Sequence, residues 1–194
     1  MNTHILNKIE ELKSTPNFKN IKIDKDFHQL DRYYVSNGLV EVIIGEYQGL
    51  GYYIVREPEL TPDELKLYHE LLEELRYKAK PDQQLLTDPL GYLEKALRDA
   101  IGELEVASKV YSSKNKLFYY LKRDVLGFGP LEPLIDDPEI EDVSIEGVGK
   151  PARVFHRRYS FYDWLHTNII FEDEEELNNY LIKLAHMGGK HISI

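Results

Sequence analysis

The chain has 194 residues, enough for one large or two small domains, and a formal net charge of −10. That charge argues against general affinity for a nucleic-acid backbone, which needs basic surface. It contains no cysteine, which excludes disulfides, thiolate metal sites and a cysteine nucleophile.

Residues 1–14 place Ile5, Leu6, Ile9 and Leu12 on one helical face, and Ser14-Thr15-Pro16-Asn17 ends that helix. The same N-terminal stretch lacks the long apolar core of a signal peptide, and no run is long enough for a membrane span. Residues 17–32 are polar and give no periodic signal. Two runs rich in Val, Ile and Tyr follow, Leu39 to Ile44 and Gly51 to Arg56, and the short link Gly45 to Gly49 predicts a β-hairpin.

Thr61, Pro62 and Glu64 then combine an N-cap, a first-turn proline and a capping box. Leu65, Tyr68, Leu72 and Leu75 share a face of the helix that follows, and Pro81 closes it. Asp88-Pro89 starts a second helix with the stripe Leu90, Leu93, Leu97, Ile101 and Leu104. Ser112-Ser113 is expected to break the pattern, with a third helix from Lys114 to Leu126 stopped by Gly127.

From residue 127 the texture changes. Leu131, Leu134 and Ile135 suggest one docked helical turn, Asp137-Pro138 restarts the chain, and Ile140 to Glu146 alternates as a half-buried strand. Arg153 to Arg157 and Asn168 to Phe171 read as further strands. Asp173, with Glu176 three residues on, caps a closing helix bearing Leu177, Tyr180, Leu181 and Leu184. Gly188-Gly189 stops it, and KHISI begins another strand. The predicted fold class is α+β: an N-terminal β-hairpin plus a three-helix unit, then a PAS-like α/β module expected to be cut short at Ile194. The expected divisions are an N-terminal helix and polar segment over 1–32, a hairpin and helical docking subdomain over 33–126, and the PAS-like domain over 127–194.

Four patterns bear on chemistry. Gly189-Lys190 is not a phosphate loop, because Leu184 stands where the earlier glycine belongs and His191 where a hydroxyl must hold Mg²⁺. The acidic cluster Asp136, Asp137, Glu139, Glu141 and Asp142 lacks calcium-loop spacing and reads as a helix cap with a solvated turn. His156, His166, His186 and His191 show no metal-ligand pair. The basic cluster Arg153, His156, Arg157 and Arg158 reads first as surface arginines paired to nearby carboxylates; the sharper alternative is a phosphate clamp, since guanidinium forks match phosphate oxygens. Strand alternation would set Arg153 and Arg157 on one side, and His156 and Arg158 on the other with Val154.

Three stretches in order, GFGPLEPLIDDPEIEDVSIEG (127–147), RVFHRRYSFYDWLHTNIIF (153–171) and ELNNYLIKLAHMGGKHISI (176–194), resemble the region before the motor core of type II/type IV secretion ATPases. YYIVREPELTPDEL (52–65) is similar to the archaeal branch that drives archaella and type IV pilus-like filaments. The resemblance implies a PAS-like N-terminal domain ahead of a RecA-like motor that binds ATP and Mg²⁺. It also implies a cytoplasmic hexamer, peripheral at the inner face of the membrane through a polytopic platform protein. The implied partners are the chain's own motor domain, neighbouring subunits and that platform, and not nucleic acid. None of the motor motifs occurs in these residues, so the chain is expected to be a non-catalytic N-terminal fragment, with no cofactor of its own, of a parent ATPase. His156, Arg157, Arg158 and Tyr159 resemble the family's H-R-x-Y signature. The resemblance implies nucleotide sensing by Arg157 or Arg158, and subunit or interdomain contact by His156 and Tyr159. The alternative reading is a free-standing PAS-like interaction or sensor module.

Overall fold

The computed structural model describes residues 26–78, 87–103, 107–187 and 192–193. The elements are β1 (His28–Val35), β2 (Val40–Tyr47), β3 (Leu50–Arg56), α1 (Pro62–Lys78), α2 (Pro89–Glu103), α3 (Ala107–Leu121), the single turn α4 (Glu132–Asp136), β4 (Ile140–Ser144), β5 (Pro151–His156), β6 (Leu165–Ile170), α5 (Glu174–Met187) and β7 (Ile192–Ser193). The fold is α+β, as the sequence predicts. The expected helix at 1–14 and the glycines 188–189 lie outside the described residues.

The chain divides into two compact units. Glu59–Gly127 lies in one, and the segments ending at Pro58 and starting at Phe128 form the other. The hairpin, expected in one subdomain with the helices over 33–126, lies in the other unit. Its strands join the later ones in a single seven-stranded sheet ordered β1-β2-β3-β6-β5-β4-β7.

The reason lies in burial. In β2, Val40, Val42, Ile43 and Ile44 are all buried, and in β3 so are Tyr53, Ile54 and Val55. Such continuous apolar strands need neighbours on both edges and cover on both faces. β3 obtains its outer neighbour by parallel pairing with β6 at Tyr52–His166 and Tyr53–Thr167. Beyond that short ladder the buried side chain of Asn168 continues it. Its Oδ1 accepts the Val55 N–H at 2.8 Å and its Nδ2 donates to the Val55 carbonyl at 2.8 Å. The hairpin turn is tighter than the Gly45–Gly49 link suggests. β2 continues to Tyr47, and Gln48 and Gly49, both with positive φ (52° and 78°), make a two-residue connection.

The helical unit starts as predicted. Thr61 Oγ1 accepts the Glu64 N–H, and the Glu64 carboxylate accepts the Thr61 N–H. Asp88 accepts the Gly91 N–H in the same way at the start of α2. Ser112-Ser113 does not break a helix: α3 runs through both residues. The buried Ser113 hydroxyl donates to Glu64, so it has a partner that does not compete with the helix ladder. After α3 the chain makes a π-helical turn, Lys122–Leu126, in which adjacent Arg123 and Asp124 are both buried. Arg123 bonds Asp124 through Nε at 2.6 Å, and Tyr68 donates its hydroxyl to Asp124. No helix among the described residues is long and apolar enough to cross a membrane.

Candidate functional site

The sheet unit holds a polar network where β1, β3, the turn after α4 and the end of β5 meet. Alternation on β5 buries Ala152, Val154 and His156. Alternation on β1 turns Asp31 and Tyr33 away from the exposed Leu30, Arg32 and Tyr34. Asp137 follows α4 as its C-cap, in extended conformation, and its carboxylate is buried.

Asp137 Oδ2 accepts the Tyr33 hydroxyl at 2.5 Å and the Tyr53 hydroxyl at 2.7 Å, while its Oδ1 accepts the Glu139 N–H at 2.8 Å. The Tyr33 oxygen also lies 3.0 Å from His156 Nε2, and His156 Nδ1 accepts the Arg158 N–H at 3.2 Å. An Nδ1 that accepts requires the neutral ring to carry its proton on Nε2. The chain of donors then runs from His156 to Tyr33 and from Tyr33 to Asp137, with Tyr53 donating to the same carboxylate.

The electrostatics agree with that assignment. Burial pushes the His156 pKa below the usual histidine value, opposed by the nearby carboxylate of Asp137. Burial and the Asp137 hydrogen bond push Tyr33 well above the ordinary phenol range. Burial, with Tyr33 and Asp137 beside it, does the same for Tyr53. At neutral pH both phenols are protonated donors and the imidazole is neutral. The arrangement is a sealed clamp: Tyr53, Asp137 and His156 are at most 1% exposed. It fixes backbone and side chains and gives no substrate access to these groups.

What the clamp holds is the turn Arg157–Tyr162, a pair of 3₁₀ turns. β5 ends at His156, so the alternation expected across Arg157 and Arg158 does not continue to them. Arg157 donates its N–H to the Glu139 carbonyl at 2.9 Å, and its Nε donates to Glu141 at 2.9 Å. Arg158 pairs with Asp31 at 3.1 Å and Glu139 at 3.5 Å, and its guanidinium lies over the rings of Tyr33 and Tyr159. Tyr159 donates to Asp31 at 3.0 Å. At the far end of the turn Tyr162 donates to Glu46 at 2.5 Å, an interaction that raises the phenol to about 12. The Tyr162 ring lies on Gly51, where a Cβ would come within 2.7 Å of it. Phe161 stands 73% exposed at the apex.

The structure therefore brings His156, Arg157, Arg158 and Tyr159 together, but in different surroundings. Both arginines are partly exposed. His156, expected at a subunit or interdomain contact, is fully buried, with Tyr33 and the Arg158 N–H as its partners. Arg153 has separate partners, an ion pair with Glu146 and the Trp164 ring at 5.9 Å. His166 lies half-buried beside Tyr52; the side chain of His186, and His191, fall outside the described residues. Among the described residues no group of three or more His, Asp or Glu side chains is arranged to hold a metal ion. The acidic cluster is only in part a solvated turn, because Asp137 is the buried centre of the network. Sequence reasoning missed Tyr33, Tyr53 and Asp31 altogether; the one available signal was β-prone Tyr33-Tyr34-Val35 at the end of a polar stretch.

In class, this is an α+β chain whose buried Tyr–Asp–Tyr–His network seats an arginine-bearing turn. No protein-family model matches it. It is similar to the uncharacterized protein MJ1288 of Methanocaldococcus jannaschii, with 35% identity over 161 residues covering 81% of this chain and 62% of that protein. It is also similar to the uncharacterized protein MJ0900 of the same organism, with 29% identity over a 221-residue alignment covering 99% of this chain and 39% of that protein. The chain thus spans less than two thirds of the length of either relative.

Proposed function

We propose that this chain is the coupling and docking region of a hexameric ATPase of the type II/type IV secretion class, one that powers protein secretion or assembly of archaellum-like or type IV pilus-like filaments. The ATP and Mg²⁺ site belongs to a RecA-like motor domain outside these residues, and this region does not hydrolyse ATP by itself. Phosphoryl transfer needs a phosphate loop, a lysine, a metal and a water-orienting residue, and none of these motifs is present. The assembly works at the inner face of the cytoplasmic membrane through a polytopic platform protein.

The observation that carries this reading is the seated arginine turn. Two consecutive guanidinium groups, 61% and 48% exposed, stand on a short turn tied down at both ends. A turn whose backbone is fixed in advance limits what must reorganise when an arginine on it approaches a γ-phosphate. The ordered resemblance of residues 127–147, 153–171 and 176–194 to the secretion ATPases supports the same reading. The greater length of both relatives leaves room for a motor domain in proteins of this kind.

The test is ATP turnover by the full natural polypeptide with Mg²⁺. The Arg157→Ala/Arg158→Ala double variant is expected to lower turnover by roughly tenfold or more, as loss of a charge-stabilising arginine does. Turnover equal to the parent's overturns the nucleotide role. A full polypeptide without any ATPase activity overturns the motor assignment and leaves an interaction or sensor module.

A further inference from the structure

Resting on that reading, we infer that the two arginines divide the work: Arg158 is a positioning residue, and Arg157 is the group that reaches phosphate, with Glu141 as the resting counter-ion it leaves.

Arg158, although 48% exposed, is engaged by two carboxylates and two rings. Its guanidinium faces Asp31 and Glu139, on two different segments, and lies 5.4 Å from the Tyr33 ring centroid and 5.8 Å from that of Tyr159. Asp31 is itself held by the Tyr159 hydroxyl, and the Arg158 N–H is held by buried His156. Moving this side chain to a phosphate would strip two carboxylates of their cation and two rings of their cover. Such coupled contacts resist removal one at a time.

Arg157 is placed differently. Its backbone is pinned by the Glu139 carbonyl, so its origin is fixed. Its side chain is 61% exposed and ion-paired with Glu141, itself 44% exposed. An exposed pair of this kind is screened by water and exchanges readily. A planar guanidinium freed from one carboxylate offers its fork to phosphate oxygens, which are better matched in geometry and carry more charge. Glu141 on β4 and the phosphate therefore compete for one cation, and Glu141 sets how readily the turn engages a nucleotide.

The experiment uses the full natural polypeptide, with kcat and KM for ATP and the thermal midpoint measured for each variant. Arg157→Ala and Arg157→Lys are both expected to lower kcat by roughly tenfold or more with an unchanged midpoint, because an ammonium does not reproduce the fork. Arg158→Ala is expected to lower the midpoint and turnover together. Arg158→Lys keeps a cation between Asp31 and Glu139 and recovers most of both. Glu141→Gln is expected to lower KM by about threefold, since a neutral amide competes weakly with phosphate. A loss of kcat in Arg158→Lys at unchanged midpoint, with Arg157→Lys near the parent, overturns the division while leaving the nucleotide reading intact. An unchanged KM in Glu141→Gln overturns the counter-ion role. If both alanine variants turn over like the parent, the nucleotide reading falls and this inference falls with it.

Discussion

Asp137 shows what one buried carboxylate commits a fold to. Two phenols and one amide converge on it, and each is left without an acceptor if the carboxylate is removed. Asp137→Ala is therefore expected to cost roughly 3 kcal/mol in urea unfolding, the scale of a charged hydrogen-bonded group whose partners stay buried. Tyr53→Phe removes one donor from a carboxylate that keeps two, and is expected to cost only about 1–2 kcal/mol. His156 adds a pH dependence whose direction follows from its depressed pKa. The unfolded state takes up a proton at the ordinary histidine pKa of 6.5, while the folded state takes it up only at lower pH. Stability is then full above that value and declines as pH falls through the interval below it. His166 is shifted the same way, by burial and by Arg153, so it contributes in the same window. His156→Asn keeps an acceptor for the Arg158 N–H and cannot titrate; it is expected to show a shallower loss of stability than the parent as pH falls below 6.5, with the His166 part remaining. An equal slope in both proteins would place the linkage elsewhere. Glu64 acts lower down: burial opposes its ionisation, but bonds from Ser113, Thr61 and Lys116 bring it to about 2. Its contribution is present above the ordinary carboxylate value and is lost only as pH falls toward 2.

At the scale of elements, local signals were legible and long-range ones were not. Thr61, Asp88 and Asp173 each cap the helix their spacing announces, because a cap is decided within four residues. Thr61→Ala is accordingly expected to cost about 1 kcal/mol in thermal or urea unfolding, through loss of one side of the capping box. The strands at 140–144, 151–156 and 165–170 follow from alternation, although β6 begins three residues before the predicted one. β1 gave no signal beyond Tyr33-Tyr34-Val35, because as an edge strand it keeps His28, Gln29, Leu30, Arg32 and Tyr34 exposed and buries little that a pattern can register. Ser112-Ser113 misled because a serine favours breaking a helix only when its hydroxyl has nothing better to bond. The candidate site was half legible for the same reason. His156, Arg157 and Arg158 are contiguous and stood out as a basic cluster, with Tyr159 added only by the resemblance, whereas Tyr33, Tyr53 and Asp137 are joined across 84 and 104 residues. The Pro138 that follows Asp137 marks a chain restart but does not announce that its carboxylate, unlike that of the solvated Asp136 beside it, is buried.

The largest difference between pattern and structure concerns the whole chain. Reading from one end to the other groups the hairpin with the helices that follow it, whereas the sheet unit is built from two distant segments with Glu59–Gly127 between them. The helical segment has a core of its own: Leu67, Tyr68, Leu71, Leu72, Leu75, Leu93, Leu117, Tyr120 and Leu121 are buried, and Arg123, Asp124 and Tyr68 bond one another inside it. The sheet unit cannot be divided at residue 127 in the same way. Without β3, β6 loses its parallel neighbour and Asn168 loses both backbone partners on Val55. Without β1 and β3, Asp137 loses both tyrosines. Buried polar groups stranded like that cost more than a small module of this size holds in reserve. A chain of residues 127–194 alone is therefore expected to lack a cooperative urea transition. Residues 59–127 alone are expected to show helical circular dichroism and to melt. A chain in which Pro58 is joined to Phe128 by a flexible glycine–serine linker is expected to keep the near-ultraviolet tyrosine signal and the elevated phenol titration of Tyr33 and Tyr53. Cooperative folding of 127–194 by itself would show that the first three strands are an accessory to this unit. Loss of the tyrosine signature in the linked chain would show that the helical segment is needed to bring the two halves of the sheet together.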